Sequence, residues 1–160
     1  GIDTITTGAG NDIIRFDLIN EGVDVIVDFT TGSDKIHMND GSFGLLGTDA
    51  AADPIAAGTF YEGAVAGATA GTDYAVMVIT GTEYADSATL GTAIAAQITS
   101  DAKDTAVIYF NSTTSKLTMY HTDNNGANGT ETDICTFSHI TTLAGLTTDS
   151  FANTDFVSIT

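Results

Sequence analysis

The chain opens on a beat that limits what it can fold into. Gly1-x-Asp3-x-Ile5 returns as Gly10-x-Asp12-x-Ile14, Gly22-x-Asp24-x-Ile26 and Gly32-x-Asp34-x-Ile36, with aspartates nine, twelve and ten residues apart. A triplet recurring four times in so short a span is an internal repeat, the signature of stacked supersecondary units. Glycine permits the positive φ of a tight turn. The aspartate sends its carboxylate into that turn, and x-Ile-x is a strand short enough to point one aliphatic side chain inward. Stacked in parallel, successive strands bury a thin column of Ile5, Ile14, Ile26 and Ile36, with turns piled along the edges. Two carboxylates at roughly 4–5 Å repel by about 1 kcal/mol even at water-like dielectric, so the stack calls for a cation between its turns. Carboxylate and carbonyl oxygens are hard ligands, which select calcium over zinc or copper.

Charge agrees with that chemistry. Twenty-one acidic residues stand against four basic ones (Arg15, Lys35, Lys103 and Lys116), a formal net charge of -17. Nucleic acid and anionic lipid both need a basic footprint and are excluded as partners. With 42% hydrophobic residues the chain is no disordered acidic tail, and 160 residues suffice for one domain with a core. No apolar run reaches the roughly 18 residues of a membrane span, so membrane insertion is not expected. Cys135 is the single cysteine; no internal disulfide forms, and its alternating context, TDICTFSHI, reads as a buried small hydrophobe. Because the beat is already under way at Gly1, that residue is expected to be an internal position of a longer protein.

The stretch from Thr7 to Phe16, TGAGNDIIRF, resembles the Gly-Gly-x-Gly-x-Asp-x-U-x nonapeptide of RTX (hemolysin-type) calcium-binding proteins. Residues 22–38, GVDVIVDFTTGSDKIHM, resemble the stretch that closes such β-rolls. The resemblance implies that alternate turns stack, the Asp12 loop facing the Asp34 loop and the Asp3 loop the Asp24 loop, with calcium between each pair. The implied ligand set is Asp3, Gly8, Gly10, Asp12, Asp24, Asp28, Gly32 and Asp34. Ala9 departs from the pattern at one turn glycine, the last two turns lack the double glycine, and His37 stands where the family often has aspartate. The Thr7–Phe16 turn is the full repeat and the later ones read as a cap.

From Ser42 to about Ala70 the chain reads as loops with a short strand or helix. Tyr74 to Thr80, YAVMVIT, is a buried strand. DSATLGTAIAAQI is a helix capped by Asp86 or Ser87, with Leu90, Ile94 and Ile98 on one face. TAVIYFN and KLTMYHT form an antiparallel hairpin about Ser112 to Ser115; TDICTFSHI and DFVSIT are further strands. Between them DNNGANGTETD offers Asp123, Asn125, Asn128, Glu131 and Asp133 around two glycines. This suggests a second calcium loop through Asp123, Asn125 and Asp133, without the twelve-residue EF-hand pattern; a solvated hairpin turn reads equally well. The expected fold is thus mainly β: terminal turns of a parallel β-roll over 1–42, then, over 43–160, a mostly antiparallel β domain with one α-helix.

The second half also resembles the C-terminal regions of RTX proteins exported by type I secretion, whose uncleaved signal is an acidic residue followed by hydrophobic and hydroxylated ones. Asp155 to Thr160, DFVSIT, has that character. The resemblance implies an extracellular or cell-surface location, recognition of the C-terminus by the type I machinery, and a tail whose removal leaves calcium binding nearly intact. No catalytic motif stands in a matching context. His37, His121 and His139 are dispersed, and the single Asp53-Pro54 bond lacks the module of calcium-triggered self-cleavage. No enzyme is expected. Three readings stay open: a calcium-dependent structural module of an S-layer protein or adhesin, favoured by a Thr-, Ala- and Gly-rich, lysine-poor composition; a non-catalytic secretion and folding domain behind a protease or lipase; and a calcium-dependent glycan-binding module. Self-association and cell-surface glycan are the further partners these imply.

Overall fold

In the computed structural model, which describes residues 1–45, 53–99, 104–123 and 129–159, each Gly-x-Asp turn feeds a strand of three to five residues: β1 Thr4–Thr6, β2 Ile13–Phe16, β3 Asp24–Asp28 and β4 Lys35–Asn39. Successive strands do not pair. β1 pairs with β3 in parallel and β2 with β4, so the chain alternates between two sheets. Parallel neighbours need a crossover between them, and here each crossover contains a strand of the opposite sheet. The expected isoleucine column is accordingly two columns: Ile5 opposite Ile26 in one sheet, Ile14 opposite Ile36 in the other. All four meet in one core, Ile5 at its margin.

After a short helix, α1 Asp40–Phe43, the chain forms β5 Asp53–Pro54, β6 Phe60–Gly63, β7 Val76–Tyr84, α2 Ser87–Ile98, β8 Thr105–Asn111, β9 Lys116–Thr122, β10 Glu131–Phe137, α3 Leu143–Thr148 and β11 Phe156–Ile159. Asp86 caps α2, its carboxylate accepting the Thr89 N–H at 2.7 Å. Leu90, Ile94 and Ile98 are the buried face of that helix, as their spacing predicts. β8 and β9 form the expected antiparallel hairpin.

The fold is mainly β, and its sheets are mixed. The arrangement over 43–160 is less antiparallel than expected: β6 with β7 and β7 with β8 are parallel pairs, and three helices occur among the described residues where one was foreseen. The cause is α2. It carries the chain back along the sheet, so β7, α2 and β8 make a strand-helix-strand unit, whose strands run parallel.

The last strands reach back to the roll. β10 joins β3 in parallel and β11 joins β4, giving a seven-stranded sheet in the order β1-β3-β10-β9-β8-β7-β6 and a four-stranded sheet β2-β4-β11-β5. A division between 42 and 43 cuts through both. Between the sheets Phe29 of the roll packs against Phe137 and Phe151, each at 5.7 Å, and Phe151 stacks on Phe156 at 5.7 Å. The other face of the large sheet is covered by α2: Val76 and Val78 look toward the small sheet, Met77 and Ile79 toward the helix. Cys135 is fully buried, and burial, then Asp24 and Asp133, pushes its thiol well above the ordinary range, which makes it inert. The tail forms the strand expected of DFVSIT, with Phe156 through Ile159 all buried.

Candidate metal centre

The turns stack as the resemblance implies. The Asp3 turn lies under the Asp24 turn, the Val25 N–H donating to the Asp3 carbonyl at 2.8 Å. The Asp12 turn lies under the Asp34 turn, the Lys35 N–H donating to the Asp12 carbonyl at 2.8 Å. Gly8, Gly10 and Gly32 hold φ of 85°, 141° and 78°, which L side chains rarely adopt.

What the carboxylates do there was not foreseen. Each upper aspartate accepts a backbone N–H from the turn beneath it: Asp24 Oδ1 from Asp3 at 2.8 Å, and Asp34 Oδ1 from Asp12 at 3.1 Å. Asp34 Oδ2 also accepts from the Thr30 N–H at 2.9 Å and the Thr7 hydroxyl at 3.2 Å, so this fully buried carboxylate is held by three donors. Asp28 clamps the Asp12 turn from the side, Oδ1 taking the Thr7 N–H at 2.7 Å and Oδ2 the Gly8 N–H at 3.0 Å. Repulsion between stacked turns is thus offset in part by amide donors.

A third rung completes the pattern. Asp155, fully buried just ahead of β11, accepts the Gly32 N–H at 3.0 Å and pairs with the Lys35 ammonium at 3.2 Å. At this rung a lysine supplies the positive charge. Thr7 and Asp155 are the parts of the stack that sequence reasoning missed. Asp155-Phe-Val repeats the Asp-x-aliphatic pattern of Asp34-Lys-Ile, and that was the available signal. Its register is offset by one, Phe156 opposite Ile36, which sets Asp155 against Lys35 rather than Asp34.

Asp12 stands apart. Its Oδ2 is buried without a hydrogen-bond partner, one of four such atoms among the described residues, with Asp40 Oδ1, Tyr120 Oη and Asp133 Oδ1. A carboxylate oxygen in that state is costly unless a cation meets it. Each singly bonded oxygen nearby, such as Asp34 Oδ1, keeps a second lone pair. The donor set therefore fits a calcium ion: Asp12 Oδ2, the Asp34 carboxylate and turn carbonyls. Among the described residues no group of three or more His, Cys, Asp and Glu side chains gathers at one point, so carboxylates alone do not make the centre.

The second expected loop lies in part outside the described residues. Asp123 Oδ1 accepts the Thr130 N–H at 2.7 Å across the turn; Asn125 and Asn128 lie outside the described residues. Asp133 pairs opposite Tyr120 and lies beside Ser87 at the start of α2. The bulge that follows it, between Asp133 and Cys135, is within the strand and not in the loop. Burial, then Arg15, lowers the His37 pKa and favours the neutral ring.

Asp28 gives a pH prediction. The Thr7 amide is the main influence holding its carboxyl below the ordinary value of 3.8, with the Gly8 amide and Thr7 hydroxyl helping against some desolvation. A carboxyl lowered in the folded state contributes stability that is complete above the unfolded pKa and lost as pH falls through the folded one. Asp28→Asn should therefore melt lower than wild type at pH 7, and the gap should close on acidification below 3.8. Thermal melts across that range check it; a gap independent of pH is the contrary result.

Comparison with family models, with curated proteins and with solved structures returns no match to this chain, so its functional reading rests on the stacked turns themselves.

Proposed function

We propose that this chain is a calcium-dependent structural module of a secreted or cell-surface bacterial protein, of the S-layer or adhesin type, that folds on calcium after type I export. The observation that carries the reading is Asp12: the aspartate of the one complete nonapeptide keeps a buried, unpartnered oxygen beside the turn that stacks on it. Asp12 and Asp34 with the turn carbonyls would hold the ion. When bound, calcium supplies positive charge between turns that otherwise repel, and its binding free energy becomes folding free energy. Extracellular modules bind calcium at about 0.1–1 mM, far above cytosolic levels, which suits a chain that must stay loose until it is outside.

Melting the full chain with chelator and with calcium at roughly ten to a hundred times the dissociation constant tests this. The site is expected to add about 1.4–2.7 kcal/mol, which raises the Tm by roughly 3–10 °C in a domain of this size. In Asp12→Ala the rise should shrink while the Tm in chelator barely changes, because the lost oxygen has no partner there. No rise, or a rise undiminished in Asp12→Ala, sinks the reading.

A further inference from the structure

The face of the large sheet that meets α2 carries oxygen donors the roll does not use. Glu131 and Asp133, two residues apart on β10, share one face of the strand. The Glu131 carboxylate touches Gly91 of α2, and Asp133 lies directly opposite Tyr120 on β9. Tyr120 packs edge-on against Tyr109 of β8 with ring centroids 5.7 Å apart, and both belong to the cluster beneath the helix. α2 starts at this point: Ser87, its first residue, and the capping Asp86 both lie near enough to the Asp133 carboxyl to act on it.

Two atoms here have no account within the protein. The Tyr120 hydroxyl is unpartnered although the residue is fully buried, and Asp133 Oδ1 is unpartnered beside it. A phenol in a core normally finds a partner. Burial pushes the Tyr120 hydroxyl well above its ordinary value, and Glu131, Tyr109, Asp133 and Tyr84 push it further. Burial likewise raises Asp133; Ser87 opposes that and Asp86 adds to it. Among the described residues the ion pairs are Arg15 with Asp17, Lys35 with Asp155 and His121 with Asp104, and none reaches this cluster.

We propose that the start of α2 and the facing side of β10 form a cation site separate from the roll, in which Asp86 and Asp133 with the hydroxyls of Ser87 and Tyr120 take a divalent ion of the calcium class. Two carboxylates match the charge of a dication, and a donor set made only of oxygen selects a hard one. So few charges place the affinity at the weak end, about 0.1–1 mM. This site uses Asp133 without the Asp123 loop, and it stands or falls independently of the roll.

Terbium(III), which substitutes for calcium and is sensitised by nearby tyrosine, separates the two. The chain has no tryptophan, and none of its five tyrosines lies in residues 1–42. Titrating the full chain with terbium under tyrosine excitation should give sensitised emission that added calcium displaces. Asp133→Asn should weaken terbium binding about tenfold or more, and Asp12→Ala should leave the emission in place. Melting guards against misfolding as the cause: in chelator Asp133→Asn should melt at or above wild type, since a half-buried carboxylate with an unpartnered oxygen is gone, and calcium should raise it less. Absent emission, emission unchanged in Asp133→Asn, or a large loss of Tm in chelator overturns the site. Emission lost in Asp12→Ala and kept in Asp133→Asn overturns it too, while leaving the calcium reading of the roll untouched.

Discussion

Removing residues 155–160 is expected to unfold the whole chain. The truncation takes out β11, which lies between β4 and β5 in the four-stranded sheet. Phe156, Val157 and Ile159 are buried, and burying each such side chain contributes about 1.5–3 kcal/mol. Asp155 leaves with them, stranding the Gly32 N–H and the Lys35 ammonium that it holds. The sum of these losses is comparable to the roughly 5–15 kcal/mol of net stability of an ordinary domain. Calcium binding should fail along with folding, because β4, which carries Asp34 at its start, loses one of its two neighbours. Circular dichroism and a thermal melt of the truncated chain decide the matter. A cooperative melt within a few degrees of the intact chain would show that β11 is dispensable, and with it the idea that the tail is part of the fold.

Asp34→Ala should produce the next largest effect, and calcium should not repair it. The side chain is fully buried and accepts from the Asp12 N–H, the Thr30 N–H and the Thr7 hydroxyl. Alanine leaves two backbone donors in a stacked turn without their acceptor. Hydrogen bonds to a charged group are each worth about 1.5–3 kcal/mol; because the three share one acceptor their losses do not add fully, and about 3–5 kcal/mol is expected. That lowers the Tm by roughly 10–15 °C in a chain of this length. Asp12→Ala is the contrast, small in chelator and visible only as a lost calcium response. A Tm for Asp34→Ala within about 2 °C of wild type would mean that the amide ladder holds nothing together.

The local structure was legible where short-range chemistry decides it. The beat of glycine, aspartate and isoleucine located all four strands of the roll, and Asp86 with Leu90, Ile94 and Ile98 located α2 and its buried face. The parallel pairing of β7 with β8 was not expected, although a strand, a helix and a strand in succession imply it and so made it legible. Sheet neighbours were not. Nothing in TDICTF marks it as the partner of Asp24 to Ile26, and nothing in DFVSI marks it as the partner of Ile36 to Asn39. Those pairings are chosen by the fit of Phe29, Phe137, Phe151 and Phe156 between the sheets, a contact among residues far apart in the chain. The amide ladder was hidden for a similar reason. An aspartate in a glycine turn reads as a metal ligand or a turn former alike, and only the stacking distance shows that its carboxylate reaches a neighbour's N–H.

The return of β10 and β11 to the roll has a consequence for timing. The Gly32 and Lys35 contacts of Asp155 span 123 and 120 residues, and the roll's two sheets gain their inner neighbours only from the distant strands β10 and β11. Topologies dominated by such distant pairings fold slowly, in milliseconds to seconds, because loop closure precedes any gain. As the chain emerges from the ribosome, β3 and β4 have no inner partners until β10 and β11 have been made. The two sheets are completed only when β10 and β11 are in place.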